Sequence, residues 1–260
     1  MNRSAIYLAL AGACLAGCGG SNSPTNQAVT SPIATTTPVA VSAPTPEGLW
    51  SGTTSTGRAF TGIITDTGTT WTIYSAIGNS GQIGGVIQGT VKYTSSGYVS
   101  GDGRDFNLEG LGVNTALAAA TYFAKNSFTG TITYPSGQVI TATATYDPDY
   151  ETIPALATIA GSYTGSTYGP GIAIAAALSV DASGAIKGTS ATGCSFTGHA
   201  APHARGNFYD ISITAGPPPC PSPNALAGGI FYFSSKLKKA YAIGLNNTRT
   251  DGFVFIGSKN

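Results

Sequence analysis

The sequence predicts an all-β protein: two tandem antiparallel meander barrels of about eight strands each, behind an export signal and an extended tether. Three observations predict it. The first is composition. Of 260 residues only 9% are charged, whereas 36 are Gly, 13 Tyr and 10 Phe. Average soluble domains carry ~25% charged residues, and Gly for turns with Thr and aromatics for pleated surfaces is what strands use instead. The second is periodicity. Trp71-Thr72-Ile73-Tyr74, Gly130-Thr131-Ile132-Thr133-Tyr134 and Phe208-Tyr209-Asp210-Ile211-Ser212-Ile213-Thr214 alternate apolar or aromatic residues with polar ones, which puts one face in and one out. The third is spacing. Asp66-Thr67-Gly68, Gly78-Asn79-Ser80-Gly81, Ser95-Ser96-Gly97, Pro135-Ser136-Gly137 and Asp181-Ala182-Ser183-Gly184 are turn sequences, and such signals recur every ~8–12 residues, as in sandwiches and barrels. The same composition excludes other classes. With 12 Lys plus Arg against 11 Asp plus Glu the net charge is +1, so there is no dense basic face for nucleic acid and no charge supply for coiled coils.

Positions 1–18 read as an export address. Arg3 supplies a positive start, and Ala5 to Gly17 is apolar or small, too short to span a bilayer as a helix. The stretch ends in Leu15-Ala16-Gly17-Cys18. This resembles the lipobox of bacterial lipoproteins. The resemblance implies that Cys18 is the first mature residue, with diacylglycerol on its thiol and a third acyl chain, typically palmitate, on its amine. Three acyl chains at ~0.8 kcal/mol per buried CH₂ make a durable membrane anchor. Gly19 follows the Cys where family members kept in the inner membrane have Asp, so the resemblance implies the outer membrane, with the body facing the cell surface or the periplasm. Positions 19–46 hold no charged residue and include Pro24, Pro32, Pro38, Pro44 and Pro46. Frequent Pro forbids regular pairing, so this is a disordered Ser/Thr/Pro tether, or a glycosylated stalk around Thr35-Thr36-Thr37-Pro38.

The first barrel domain is placed at 47–150 and opens on Gly48-Leu49-Trp50-Ser51-Gly52-Thr53. Its ambiguous segment is Ala-rich Asn114 to Lys125. Leu117, Ala119, Thr121 and Phe123 alternate with Ala118, Ala120, Tyr122 and Ala124, and this favours strand over helix. Positions 151–160 form a linker, preceded by the acid- and Pro-containing stretch that starts at Tyr146, and Ala155 to Ala160 is suited to a short helical turn. The second barrel domain, 161–260, opens on the similar Gly161-Ser162-Tyr163-Thr164-Gly165-Ser166. Its strands are predicted near 161–168, 171–180, 185–191, 194–199, 207–214, 226–234, 239–245 and 251–257. Short connections favour a meander, and closure removes exposed edges. A transmembrane barrel is the competing architecture, but most of these strands fall short of the 9–11 residues it needs.

Two tandem barrels behind a lipid and a long tether resemble, in architecture only, Gram-negative surface lipoproteins of the factor H-binding and transferrin-binding type. Gly48-Leu49-Trp50 also looks like the Gly-X-Trp of lipocalin-like barrels, where the Trp plugs the barrel floor beneath an Arg from the last strand. That resemblance implies floor positions for Trp50 and, in the second half, for Tyr163 under Arg249, with a cation–π contact.

Of four Cys, Cys14 lies within the signal and Cys18 is the lipidation candidate. Cys194 and Cys220 remain, and an even pair after export is most simply a disulfide, stabilising by about 3–4 kcal/mol for a loop of this length. It would staple the Pro-rich loop Gly216-Pro217-Pro218-Pro219-Cys220-Pro221-Ser222-Pro223. Candidate ligand or ion contacts are few. His199 and His203, with Arg205, fall in a segment that reads as an exposed hairpin turn. Asp102, Asp105 and Asn107 could offer oxygens to Ca²⁺ or form a salt-bridged turn. Ser235-Lys236-Leu237-Lys238 matches Ser-X-X-Lys, but in a polar turn rather than at a helix start. No catalytic residue, metal or cofactor is assigned. The expectation is a non-catalytic binding module for a host or envelope protein, a glycan or a small ligand. An envelope assembly factor and a hydrolase are the alternatives.

Overall fold

A computed structural model describes residues 44–260; the signal segment, Cys18 and the tether through position 43 lie outside the described residues. The first half contains β1 (Gly48–Thr54), β2 (Ala59–Ile64), β3 (Thr69–Ala76), β4 (Asn79–Thr90), β5 (Lys92–Tyr93), β6 (Gly97–Asn107), β7 (Gly112–Phe123), β8 (Ser127–Thr133) and β9 (Val139–Asp147). A 3-10 turn, Pro148–Glu151, and a short helix α1, Leu156–Ile159, follow. The second half contains β10 (Gly161–Gly169), β11 (Ile172–Val180), β12 (Ala185–Ser190), β13 (Ser195–Pro202), β14 (Tyr209–Ala215), β15 (Leu226–Ser234), β16 (Lys239–Leu245) and β17 (Gly252–Lys259).

Both halves are closed, eight-stranded antiparallel barrels. In the second, consecutive strands pair in order and β17 returns to β10. In the first, β1 pairs with β9 and β4 pairs directly with β6. The two-residue β5 attaches to β6 beside that joint and is not part of the ring. The Ala-rich segment is strand β7, paired on both sides. Ala116 and Tyr122 are buried on its inner face while Leu117 and Phe123 are exposed on the outer. The strands of the second half begin and end within three residues of their predicted positions.

The second barrel is filled. Tyr163, Tyr209, Phe231 and Phe255 are almost completely buried in its interior. Tyr163 and Phe231 pack edge to face at 5.9 Å, the geometry the ring quadrupoles favour. Helix α1 stoppers one end: Ile159 joins the core, and the Tyr163 hydroxyl donates to its carbonyl at 2.6 Å.

A second apolar cluster joins the two barrels through their outer walls. Leu49, Ile63, Trp71, Ile73 and Val86 of the first meet Ile230, Tyr232, Ile243, Leu245 and Val254 of the second. Strand β15 therefore faces a core on both sides, which explains its unbroken run Ile230-Phe231-Tyr232-Phe233 where other strands alternate.

Candidate functional site

Alternation turns one face of every strand in the first barrel inward, and many residues on that face are small. Gly89, Gly103, Ala116, Ala118, Gly130 and Ala142 do not reach the axis, and a cavity of about 540 Å³ remains. Small-molecule sites commonly measure ~300–1,000 Å³. The base is aromatic. Trp50 is 1% exposed, contacts Phe128 and Tyr146 edge-on at 5.4 Å, and donates its indole N–H to the Pro46 carbonyl at 2.9 Å. Phe60, Tyr98 and Phe128 face the cavity above it. Burial pushes the Tyr98 hydroxyl up to about 12, so it stays protonated at any physiological pH. At the opposite end the cavity is bordered by the β3–β4 and β6–β7 turns, whose Ile77 and Leu111 are both exposed and cavity-lining.

The polar part of the wall centres on Asp105. Strand β6 carries a bulge: Ser100 pairs with Ala118, and the next ladder pair is Gly103 with Ala116. One extra residue on β6 reverses its alternation. Before the bulge Tyr98 and Ser100 point inward; after it Gly103, Asp105 and Asn107 do, and all five line the cavity. Asp105 is 3% exposed and accepts hydrogen bonds from the Tyr74 hydroxyl at 2.7 Å and the Tyr134 hydroxyl at 2.9 Å. Asn107 donates to the Tyr74 oxygen at 3.4 Å, while its own carbonyl accepts from the backbone N–H groups of Glu109 and Leu111. That turn fixes which end of the amide faces inward. Arg58 lies over the Tyr74 ring at 5.1 Å, pairs with Glu109 at 2.5 Å and donates to the Ser75 carbonyl at 2.7 Å.

Burial raises the Asp105 carboxyl above its ordinary range; the two tyrosine hydrogen bonds and Arg58 act in the other direction without cancelling it. Tyr74 and Tyr134 are raised far out of their usual range, first by burial and then by the Asp105 charge. Both are therefore neutral donors, and each hydrogen bond in the network points toward the carboxylate.

Asp102, three residues earlier, is on the other side of the wall. The bulge turns it outward, where it accepts from the Thr90 N–H at 2.8 Å and from Arg249 at 3.1 Å. Asp102 and Asp105 are thus not ligands of one ion. Among the described residues no group of three or more His, Cys, Asp or Glu side chains could hold a metal. Arg249 is not above Tyr163 as the lipocalin-like floor implied. It sits in the β16–β17 turn with φ 55°, and reaches into the first barrel to donate to the Asp102 carboxylate and to the carbonyls of Asp102 and Gln88. The cation near the base of the second barrel is Lys259, 5.5 Å over Phe233. Arg249 precedes β17, whereas Tyr163 is in register with Lys259 at the far end of that strand, so strand length keeps Arg249 away from the Tyr163 ring.

The histidines also differ from the expected hairpin turn. His199 is within β13 and hydrogen-bonds the Ser183 carbonyl at 3.1 Å. His203 follows that strand and bridges the barrels: Nδ1 meets Asp210 at 2.8 Å, Nε2 meets Asp66 at 3.1 Å, and the ring stacks on Phe208 at 4.3 Å. Arg205 pairs across the same junction with Glu47 at 2.7 Å. Cys194 and Cys220 form a disulfide across 26 positions, holding the Pro-rich loop beside the start of β13. Ser235 and Lys238 lie in the β15–β16 turn.

Sequence reasoning identified Asp105 and its strand neighbour Asn107 but not Tyr74, Tyr134 and Arg58, which come from three other places in the chain. A usable signal was present: two Gly flanking Asp102 inside a strand pattern mark a bulge.

No family profile matches the chain, and no curated protein sequence matches it. Among solved structures, a double mutant of the vaccine antigen Transferrin Binding Protein B from Haemophilus parasuis Hp5 aligns with a TM-score of 0.31 and 13% identity, over 78% of this chain and 51% of that one. A single mutant of the same antigen aligns with a TM-score of 0.28 and 8% identity, over 78% and 65%. The chain thus spans about half of the first and under two thirds of the second.

Proposed function

We propose that the protein is a non-catalytic binding protein of the cell envelope, lipid-anchored through Cys18, whose amino-terminal barrel takes a small amphipathic ligand into its interior. One observation carries this reading: of two barrels with equal strand number, one is filled with aromatic side chains and the other holds a cavity of about 540 Å³. Unfilled apolar volume forfeits packing energy, and a ligand restores it. The second barrel then acts as a brace, presenting its outer wall to the first.

The test is native mass spectrometry of the full-length protein extracted from membranes in a mild detergent. The expected result is a bound small-molecule adduct in the wild type that is lost in Ala118→Trp, which fills the cavity. The reading fails if the wild type carries no adduct and binds none of a panel of amphiphiles, or if Ala118→Trp binds as well as the wild type. The anchor is tested separately: labelled palmitate should enter the wild-type protein and not Cys18→Ser.

A second reading, contact with an envelope or host protein, is favoured by Val99, Leu117 and Phe123, which are exposed on the outer wall of β6 and β7. Crosslinking in intact cells through a photoreactive residue at position 117 should then yield a discrete protein adduct; a bare ladder of non-specific products would remove this reading.

A further inference from the structure

The cavity's charge balance specifies more than its volume does. Arg58, Glu109 and Asp105 are the ionisable acids and bases of its polar cluster. Arg58 is committed to Glu109 at 2.5 Å and to the Ser75 carbonyl, so these two cancel and Asp105 is the one acid of the cluster with no cation committed to it. Its remaining neighbours are neutral. Tyr74 and Tyr134 donate to it and Asn107 donates to Tyr74, an arrangement that suits an ionised carboxylate and supplies no counter-charge. A carboxylate has about four acceptor positions, and the tyrosines occupy two. Asp105 is also 3% exposed, and a buried charge without a counter-ion is costly. The rest of the wall is uncharged: Thr70, Thr72 and Thr131 offer hydroxyls beside apolar Ile87, Ile132 and Ile140, and Phe60, Tyr98 and Phe128 face the cavity, able to attract a cation through their ring faces. The rim residues Ile77 and Leu111 are apolar and exposed, so an apolar body can pass them.

We propose that the ligand is a monocationic amphiphile, an ammonium or similar cation on an apolar body, whose charged head pairs with Asp105 inside the first barrel. This rests on the reading of that barrel as a ligand site. The anionic and neutral counterparts of the same body are discriminated against: the anion by repulsion from Asp105, the neutral alcohol because it leaves the carboxylate without a counter-charge.

The test is calorimetric titration of the full-length protein at neutral pH with decylamine, decanol and decanoate, each below its aggregation concentration. The expected order is decylammonium first, about 10-fold or more tighter than decanol, and decanoate weakest; ten-fold corresponds to about 1.4 kcal/mol. Asp105→Asn should abolish the preference for the amine while leaving decanol affinity within about two-fold. Ala118→Trp should abolish binding of all three. Equal affinity for amine and alcohol, tighter binding of decanoate, or amine binding that survives Ala118→Trp would each overturn the proposal. The wild-type order decides even if Asp105→Asn fails to fold. Binding of decanol or decanoate without preference for the amine removes the cation assignment and leaves the cavity site standing. Absence of binding by all three removes both.

Discussion

His203 draws one carboxylate from each barrel, Asp66 and Asp210, to its two ring nitrogens. Burial opposes its charge, but the hydrogen bonds and attraction of both carboxylates outweigh this and raise the imidazolium above its ordinary range. A raised native value means that the folded state holds the proton more tightly. The contribution is therefore complete below the unfolded value of about 6.5 and disappears as pH rises through the native one. His203→Gln should lower stability at mildly acidic pH by about 1 kcal/mol, the scale of a partly exposed pair, and by progressively less toward alkaline pH. Urea midpoints of both proteins across the range check this; a difference that is flat or widens with pH would contradict it. At this scale the sequence showed which side chains carry chemistry, since only two His and few acids exist. It did not show their partners. His203 and Asp66 are 137 positions apart, and no local pattern links them.

The elements were the most legible level. Period-2 alternation and turn chemistry act over a few residues, so strands could be placed along the chain, and the Ala-rich segment could be recognised as β7 from its alternation. The bulge in β6 is the instructive exception. A single extra residue moves Asp102 out and Asp105 in, and a uniform alternation rule continued from Tyr98 and Ser100 assigns each of them to the wrong face. Gly103 makes this possible. A Cβ at that position would lie 2.1 Å from the Ala116 carbonyl oxygen across the ladder. Gly103→Val should therefore force β6 and β7 apart, at a cost on the order of 3 kcal/mol, and weaken ligand uptake with it. Thermal unfolding together with the amphiphile titration reads both effects. A variant of unchanged stability and unchanged binding would show that β6 needs no such close approach.

At the scale of the whole molecule the two barrels share an apolar wall, and polar contacts fix its edges. Arg249, from a turn of the second barrel, donates three hydrogen bonds into the first. Arg249→Ala should cost about 1–2 kcal/mol and loosen the junction without emptying either core. Limited proteolysis in the segment between the 3-10 turn and α1 should accelerate while near-ultraviolet dichroism of the aromatic cores is retained; unchanged cleavage would assign the junction to the apolar wall alone. The sequence by itself determined the all-β class, the two halves, the strand positions of the second half and the pairing of Cys194 with Cys220, because these follow from local periodicity, turn residues and a count of cysteines. Only the tertiary structure decided that one barrel is hollow and the other full, that Asp105 faces the cavity, and that Arg249 serves the barrel junction. A barrel's interior is filled or left empty by side chains from eight strands at once, and that sum depends on register and bulges between residues distant in the chain.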